Sequence, residues 1–325
     1  MAKLDLASSE WCQLIFEGKN QAYGAYRLRA NSTKRHNVAM LIVVIIAAVG
    51  FSIPTLLKLA TPEQKEVMTE VTTLSKLEEP EIKQEEIADD IYSMWLHTEQ
   101  IAAHAKAGQF VSVYCKEGSR LLPRPISICE IDRKDGALRL VYRVAGKGTE
   151  EFSSMHTGMQ LKVIGPLGNG FPKQEKKAFL IGGGIGIPPM LELAKELNCE
   201  KQIVLGYRDE LFLLDEFRKQ GEVYIATEDG SVGTEGNVLD AIRENGLTAD
   251  VIYACGPLPM LRALKEYAAK EDIECWISME ERMACGIGAC LACVCKSTEK
   301  DAHSNVKNKR VCKEGPVFRA EEVDF

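Results

Sequence analysis

The chain has 325 residues, 46% of them hydrophobic and 27% charged, with 40 Lys plus Arg against 47 Asp plus Glu and a formal charge of -7. This composition excludes wholesale disorder and suits two or three folded domains. Thr61 to Asp90 carries ten acids against three bases and so accounts for the whole net charge; the balanced remainder has no basic field for a nucleic-acid backbone.

Residues 1–37 form a basic N-terminal segment, with Arg27, Arg29, Lys34 and Arg35 close to its end. Val38 to Leu57 is twenty residues in which Ser52 and Thr55 are the polar members. At 1.5 Å per residue it covers about 30 Å, the depth of a bilayer core, which predicts one transmembrane helix over residues 38–59. Core helices rarely stay apolar all round for five turns. Pro54 marks a kink or an early stop. Residues 60–84 are acidic and poor in large apolar side chains, and read as a solvated linker. By the positive-inside rule the N-terminus stays in the cytoplasm and everything after Ala60 is exported.

Beyond residue 85 the texture changes to short strand-like runs: Ile91 to His97, Phe110 to Cys115, Pro125 to Ile131, Leu138 to Val144 and Leu161 to Ile164. An antiparallel barrel over residues 85–173 fits them. Over residues 174–277 strand and helix alternate. Strands are predicted at Ala178 to Ile181, Gln202 to Leu205, Glu222 to Ala226, Asp250 to Ala254 and Glu274 to Ile277, with helices between them from Pro188, Leu213, Val238 and Pro259. That alternation means a doubly wound parallel sheet, with ligands at the carboxyl ends of its strands.

The first of these strands runs into Gly182-Gly183-Gly184-Ile185-Gly186-Ile187-Pro188-Pro189. Glycines at a strand-to-helix turn let backbone amides approach a pyrophosphate. Ile187 stands where the dinucleotide fingerprint needs a glycine, so a tight structural turn reads the run equally well. In the barrel, Arg124-Pro125-Ile126-Ser127 and Gly146-Lys147-Gly148-Thr149 together offer a guanidinium, a hydroxyl and free amides to a diphosphate; each is weak alone.

Five of the eleven cysteines crowd into Cys285 to Cys312, whereas disulfide frameworks belong to short secreted chains. Cys285-x4-Cys290-x2-Cys293 with the later Cys312 over residues 278–325 suits a [2Fe-2S] cluster, since the intervening Gly286 and Gly288 leave room beside the sulfides. Zinc is the competitor, but zinc favours paired C-x2-C knuckles. Cys295 is an uncommitted fifth thiol. The other six cysteines sit mostly in apolar runs and imply a reducing compartment.

These motifs, with Gly165-Pro-Leu-Gly-Asn-Gly-Phe171 and Cys255-Gly256-Pro257, occur in the order that resembles the PyrK family, the electron-transfer subunits of NAD-dependent dihydroorotate dehydrogenases in the ferredoxin reductase superfamily. The resemblance covers about residues 85–325. It implies an α/β plus β fold: an antiparallel FAD-binding barrel, a doubly wound parallel NAD-binding sheet and a small C-terminal [2Fe-2S] domain, preceded here by the one transmembrane helix. It implies FAD on Arg124, Pro125, Ile126, Ser127, Val141, Tyr142, Arg143, Gly148 and Thr149. NAD would lie on Gly182, Gly183, Gly184 and Gly186 with Cys255, Gly256 and Pro257, and the cluster on Cys285, Cys290, Cys293 and Cys312. The implied partner is an FMN-containing catalytic subunit in a two-plus-two heterotetramer. That partner would carry out the oxidation, since no side chain here looks like a base for dihydroorotate.

The first 84 residues resemble the start of a TonB-type energy transducer, through Ser9-Glu10-Trp11-Cys12, Phe16 to Asn20 and Ala22 to Tyr26. No receptor-binding domain follows, and the abutting of two pieces near Gln84 suggests a fusion, natural or introduced in assembling the sequence. Two other readings stay open: a reductase serving a different acceptor, and a membrane fragment without cofactors. Asp209 and Glu210 disfavour a 2′-phosphate by repulsion while Arg208 alone would favour one, and the family resemblance tips the expectation to NAD over NADP. Cofactor chemistry places the active part in the cytoplasm, while the full chain is expected in the inner membrane as a single-pass protein that is inactive or never made.

Overall fold

The computed structural model describes residues 8–15, 17–18, 24–60, 76–78, 80–208, 210–300 and 305–325. The chain divides into two units, Met1–Val71 and Thr72–Phe325. The first unit holds α1 (Ser9–Ile15), α2 (Ala25–Ala30) and α3 (Ser32–Ala60). The predicted apolar run lies wholly within α3. Pro54 does not end this helix, which continues to Ala60, a correction to the expected stop. Among the described residues no helix is long and apolar enough to cross a membrane; side chains of α3 are described only over residues 34–48.

The second unit begins with a barrel of β1 (Lys76–Glu78), β2 (Ile82–Ala88), β3 (Ile91–His97), β4 (Phe110–Tyr114), β5 (Arg124–Asp132), β6 (Ala137–Arg143) and β7 (Lys162–Leu167), with α4 (Glu99–His104) and α5 (Lys147–Ser153) in its connections. The order is β1-β7-β4-β5-β6-β3-β2, with antiparallel neighbours throughout. Alternate residues fill it: Val111 and Val113 of β4, Ile126 and Ile128 of β5, and Leu138, Leu140 and Tyr142 of β6 share one core. The entry to β2 closes the barrel, as Ile82 N–H donates to Met159 O at 3.0 Å and Leu161 N–H to Pro80 O at 3.2 Å.

The expectation of a solvated linker up to residue 84 is therefore corrected. Ile82 is 2% exposed, and Gln84 is a structural side chain whose Nε2 donates to Phe152 O at 3.0 Å. Lys83 and Glu85 lie on its outer face and Glu86 is exposed near its end, and these charges hide the strand from a composition reading.

The α/β part comprises β8 (Ala178–Gly183), α6 (Pro189–Glu196), β9 (Lys201–Tyr207), α7 (Leu214–Arg218), β10 (Glu222–Thr227), β11 (Thr234–Glu235), α8 (Val238–Glu244), β12 (Val251–Cys255), α9 (Leu258–Glu271) and β13 (Glu274–Ser278). Its sheet runs β11-β10-β9-β8-β12-β13, parallel throughout, and a strand of the C-terminal part adds antiparallel to β13. β8 is buried at every position, as a central parallel strand must be. Phe179 and Ile181 pack towards α8 and α9, while Ala178 and Leu180 pack towards α6 and α7. Helices thus cover both faces.

The C-terminal part holds a small hairpin of β14 (Val294–Lys296) and β15 (Asn308–Arg310), then β16 (Val317–Arg319), which adds antiparallel to β13. The cluster segment is consequently not detached, because its last strand completes the neighbouring sheet. Glu192 of α6 fastens that sheet to the barrel: its carboxylate, 3% exposed, accepts the Ile131 N–H at 2.9 Å.

Candidate functional site

The start of β5 carries the Arg124-Pro125-Ile126-Ser127 run. Arg124 Nη1 donates to Leu122 O at 2.6 Å, which holds its side chain across the start of α5. A Cβ on Gly148 would stand 2.3 Å from Arg124 Nε, so the absence of a side chain there is what lets the guanidinium pass. Thr149 Oγ1 accepts from the Ala145 and Gly146 N–H groups at 2.9 and 3.2 Å and donates to Gly146 O at 3.0 Å. The threonine thereby shapes the turn that faces the arginine. A fixed guanidinium beside a turn without side chains fits a diphosphate.

The remaining residues of that expected site divide. Pro125 and Ser127 are half-buried on the outer face, whereas Ile126 points into the barrel core. Tyr142 also points inward: its O–H donates to Gln84 Oε1 at 2.8 Å, and burial pushes the phenol above its ordinary value. Val141 is buried against the α/β part and Arg143 is exposed. Ile126, Val141 and Tyr142 therefore offer a ligand their backbones and not their side chains.

The two expected nicotinamide segments are brought together by strand order, since β8 and β12 are neighbours with Gly182 opposite Cys255. A Cβ on Gly186 would fall 2.5 Å from the Cys255 carbonyl carbon, and one on Gly256 would fall 3.2 Å from Gly183 Cα. Backbone rests on backbone at the carboxyl edge of the sheet. Gly184, at φ +53°, has open space where its Cβ would be, as a surface that receives a ligand requires. Pro257 caps the start of α9. Burial pushes the Cys255 thiol up to about 12, so it sits there as a neutral donor. Of the three residues expected to select NAD, Asp209 lies outside the described residues, Arg208 is exposed, and Glu210 Oε2 accepts the Asp89 N–H at 2.8 Å.

The four cluster cysteines come together from one loop and the turn after β15. The Cys285 thiol faces Cys290, and the Cys312 thiol faces Cys293. Among the described residues no three His, Cys, Asp or Glu side chains converge on one ion's position. A two-iron cluster takes thiolates in such pairs. Backbone donors already point at the sulfurs: Gly288 N–H to Cys312 Sγ at 3.1 Å, Ala289 N–H to Cys285 Sγ at 3.3 Å and Cys312 N–H to Cys293 Sγ at 3.4 Å. Burial raises the Cys285 thiol, but the Ile287, Cys290 and Ala289 amides and the Cys290 thiol outweigh it and bring it down to about 7. Gly286 and Gly288, at φ +68° and +84°, supply the left-handed turns that aim the amides. This donor set fits a [2Fe-2S] cluster. Cys295 is 7% exposed and packs in the hydrophobic core on β14, so it is a core residue.

Two residues without a sequence role hold this arrangement. Asn169 Nδ2 donates to Val317 O at 2.7 Å and to Glu314 O at 3.1 Å, and its Oδ1 accepts the Val317 N–H at 2.9 Å. It staples the barrel to the cluster segment; its signal was its place between Gly168, at φ +71°, and Gly170. Arg310 Nη1 donates to Gly288 O at 2.9 Å while Glu314 holds its guanidinium, and no local pattern announces that contact.

With this geometry in hand, comparisons with known proteins place the chain. Residues 80–171 match the oxidoreductase FAD-binding domain, and residues 280–324 match the iron-sulfur cluster binding domain of dihydroorotate dehydrogenase B. The dihydroorotate dehydrogenase B (NAD(+)) electron transfer subunit of Fusobacterium nucleatum is 44% identical over 254 residues, covering 74% of this chain and 95% of that protein. The chain belongs to this family of electron transfer subunits. The Geobacillus thermodenitrificans electron transfer subunit agrees, at 44% identity over 252 residues, 74% of this chain and 96% of that protein. A solved NADH-dependent reduced ferredoxin-NADP oxidoreductase, studied for flavin-based electron bifurcation, superposes with a TM-score of 0.68 at 30% identity, over 76% of this chain and 89% of that one. A cytochrome P450 reductase from Amycolatopsis, 20% identical with a TM-score of 0.52 over 61% of this chain and 67% of that one, shares the fold. Residues 2–58 match a TonB-like single transmembrane helix.

Proposed function

We propose that this electron transfer subunit passes electrons from an FMN-containing dihydroorotate dehydrogenase subunit, through a [2Fe-2S] cluster and FAD, to NAD in pyrimidine synthesis. The observation that carries the reading is that one compact unit places the four-cysteine loop against the same barrel that bears Arg124 and Gly148, beside the sheet edge at Gly182 to Gly186. FAD, when bound, supplies the exchange between single electrons and a hydride pair. Arg124, Ser127, Gly148 and Thr149 hold and orient it. Cys285, Cys290, Cys293 and Cys312 hold the cluster, with the Gly288 and Ala289 amides aimed at its sulfurs. The Gly182 to Gly186 turn receives the nicotinamide nucleotide, with Cys255 beside it on the neighbouring strand as a neutral thiol.

Ile287 and Leu291 are 55% and 61% exposed beside the exposed Cys290, an apolar rim suited to the catalytic subunit in a two-plus-two assembly. The visible and EPR spectra of the purified full chain, with affinity capture of the FMN-containing subunit, test the reading. Flavin and [2Fe-2S] signals with stoichiometric capture are expected. A colourless protein, or a flavoprotein that captures a different redox partner, contradicts it and favours another ferredoxin-reductase role.

The N-terminal unit adds a membrane anchor to this reading. It is supported by the match of residues 2–58 to a TonB-like single transmembrane helix. The folded unit then faces the cytoplasm, where NADH is available, against the topology that the basic flank favours. Membrane fractionation with a cytoplasm-dependent reporter at the C-terminus checks this: reporter signal and NADH dye reductase activity belong in the membrane fraction together. An exported or soluble C-terminal part would contradict the anchor.

A further inference from the structure

Along β4, Val111 and Val113 fill the barrel, so Phe110 and Ser112 face outward. Their neighbours determine what lies over them. On one side β5 sets Ser127 beside Phe110 and Pro125 beside Ser112, the heart of the flavin motif. On the other side β7 sets Leu167 beside Phe110 and Ile164 beside Ser112. The cluster loop rests on this row: a Cβ on Gly286 would stand 2.8 Å from Ser112 Oγ and 3.4 Å from Leu167 Cδ1. Ser112 is thus the outward residue of the strand between the flavin motif and the cluster loop.

Its hydroxyl is unspent. Ser112 is 1% exposed, and among the described residues Oγ has no hydrogen-bond partner. A buried hydroxyl left unpaired costs about 1–3 kcal/mol, and alanine would fill the same space without that cost. The neighbouring amides of Gly288 and Ala289 are already aimed at cysteine sulfurs, so an electron-rich acceptor belongs on this side of the loop.

We infer that Ser112 is a positioning residue for the iron-sulfur cluster: its O–H donates to the cluster's sulfur shell next to Cys285. The inference rests on the ligand set proposed above. Hydrogen bonds to the sulfurs stabilise the reduced cluster, which carries one more negative charge, and so raise its reduction potential.

An EPR-monitored redox titration of the full chain and its Ser112→Ala variant tests this. The variant is expected to shift the cluster's reduction equilibrium about tenfold towards the oxidised form, which is about 59 mV for one electron, with the flavin midpoint unmoved. In the cluster-free protein the same substitution is expected to leave thermal stability equal or higher, because it removes an unpaired group. If Ser112→Ala does not take up the cluster, Ser112→Cys, a weaker donor of similar size, is expected to give a smaller shift in the same direction. An unmoved cluster potential overturns the inference, and so does a shift confined to the flavin. Absence of any [2Fe-2S] signal from the unaltered protein overturns the ligand set itself, a failure distinct from an unmoved potential.

Discussion

Gly148 and Gly186 lack side chains for opposite reasons. A Cβ on Gly148 meets only the far end of Arg124, a flexible side chain that can swing aside, so Gly148→Ala is expected to fold normally and to lose flavin as the guanidinium is displaced. Flavin retention on gel filtration, compared with the melting temperature, checks this; at least tenfold weaker FAD binding, about 1.4 kcal/mol, is expected with little thermal change. A Cβ on Gly186 instead meets the carbonyl carbon and oxygen of Cys255, each at 2.5 Å, and backbone there cannot yield without moving β12. Gly186→Ala should therefore cost about 1–3 kcal/mol of stability as overpacking and reduce NADH-dependent dye reduction while FAD stays bound. The glycine run was legible as a close approach, but not what it approaches: Cys255 lies on a strand 65 or more residues along the chain and becomes a neighbour only through sheet order.

The elements were legible wherever burial follows a period. β3 has the ends expected from sequence, α8 starts where expected, and the central strands of the α/β sheet differ by one or two residues. β2 was missed because its charged face masks Ile82, and β16 because a three-residue strand has no pattern of its own; Asn169 and the edge of β13 define it. The joints between elements were not legible either, and Glu274 is one of them. At the start of β13 its carboxylate accepts from Gln174 Nε2 at 2.6 Å, Trp276 Nε1 at 2.8 Å and Lys176 Nζ at 3.2 Å. Burial alone would raise this carboxyl, but the three donors outweigh it and hold it below its ordinary value. A depressed carboxyl contributes stability above its unfolded pKa, about 4.3, and that contribution is lost as pH falls through the folded value. Glu274→Gln is expected to lower thermal stability at pH 7, with the difference from the parent shrinking to nothing in acid. A difference independent of pH would show that the carboxylate charge plays no part.

At the scale of the molecule, one unit contains three sites whose order in space differs from their order in sequence, because the cluster segment returns to both the barrel and the sheet. Motif spacing pointed to the candidate sites, and long-range hydrogen bonds, which leave no local trace, join the segments that carry them. Nucleotide choice is a property of this assembly. Glu210 is held by the barrel's Asp89 N–H, so its negative charge is fixed just beyond the carboxyl end of β9 while Arg208 remains exposed. Turnover with NADH is expected to exceed that with NADPH; equal turnover would show that Arg208 dominates. The central claim is that the cluster lies on the path to the catalytic subunit while flavin and nicotinamide work without it. Cys290→Ser in the full chain tests this most directly, through flavin content, NADH-dependent dye reduction and electron exchange with the FMN-containing subunit. Retained FAD and dye reduction with electron exchange abolished is the predicted result, whereas loss of all three together, or exchange that survives without the cluster, would contradict the account.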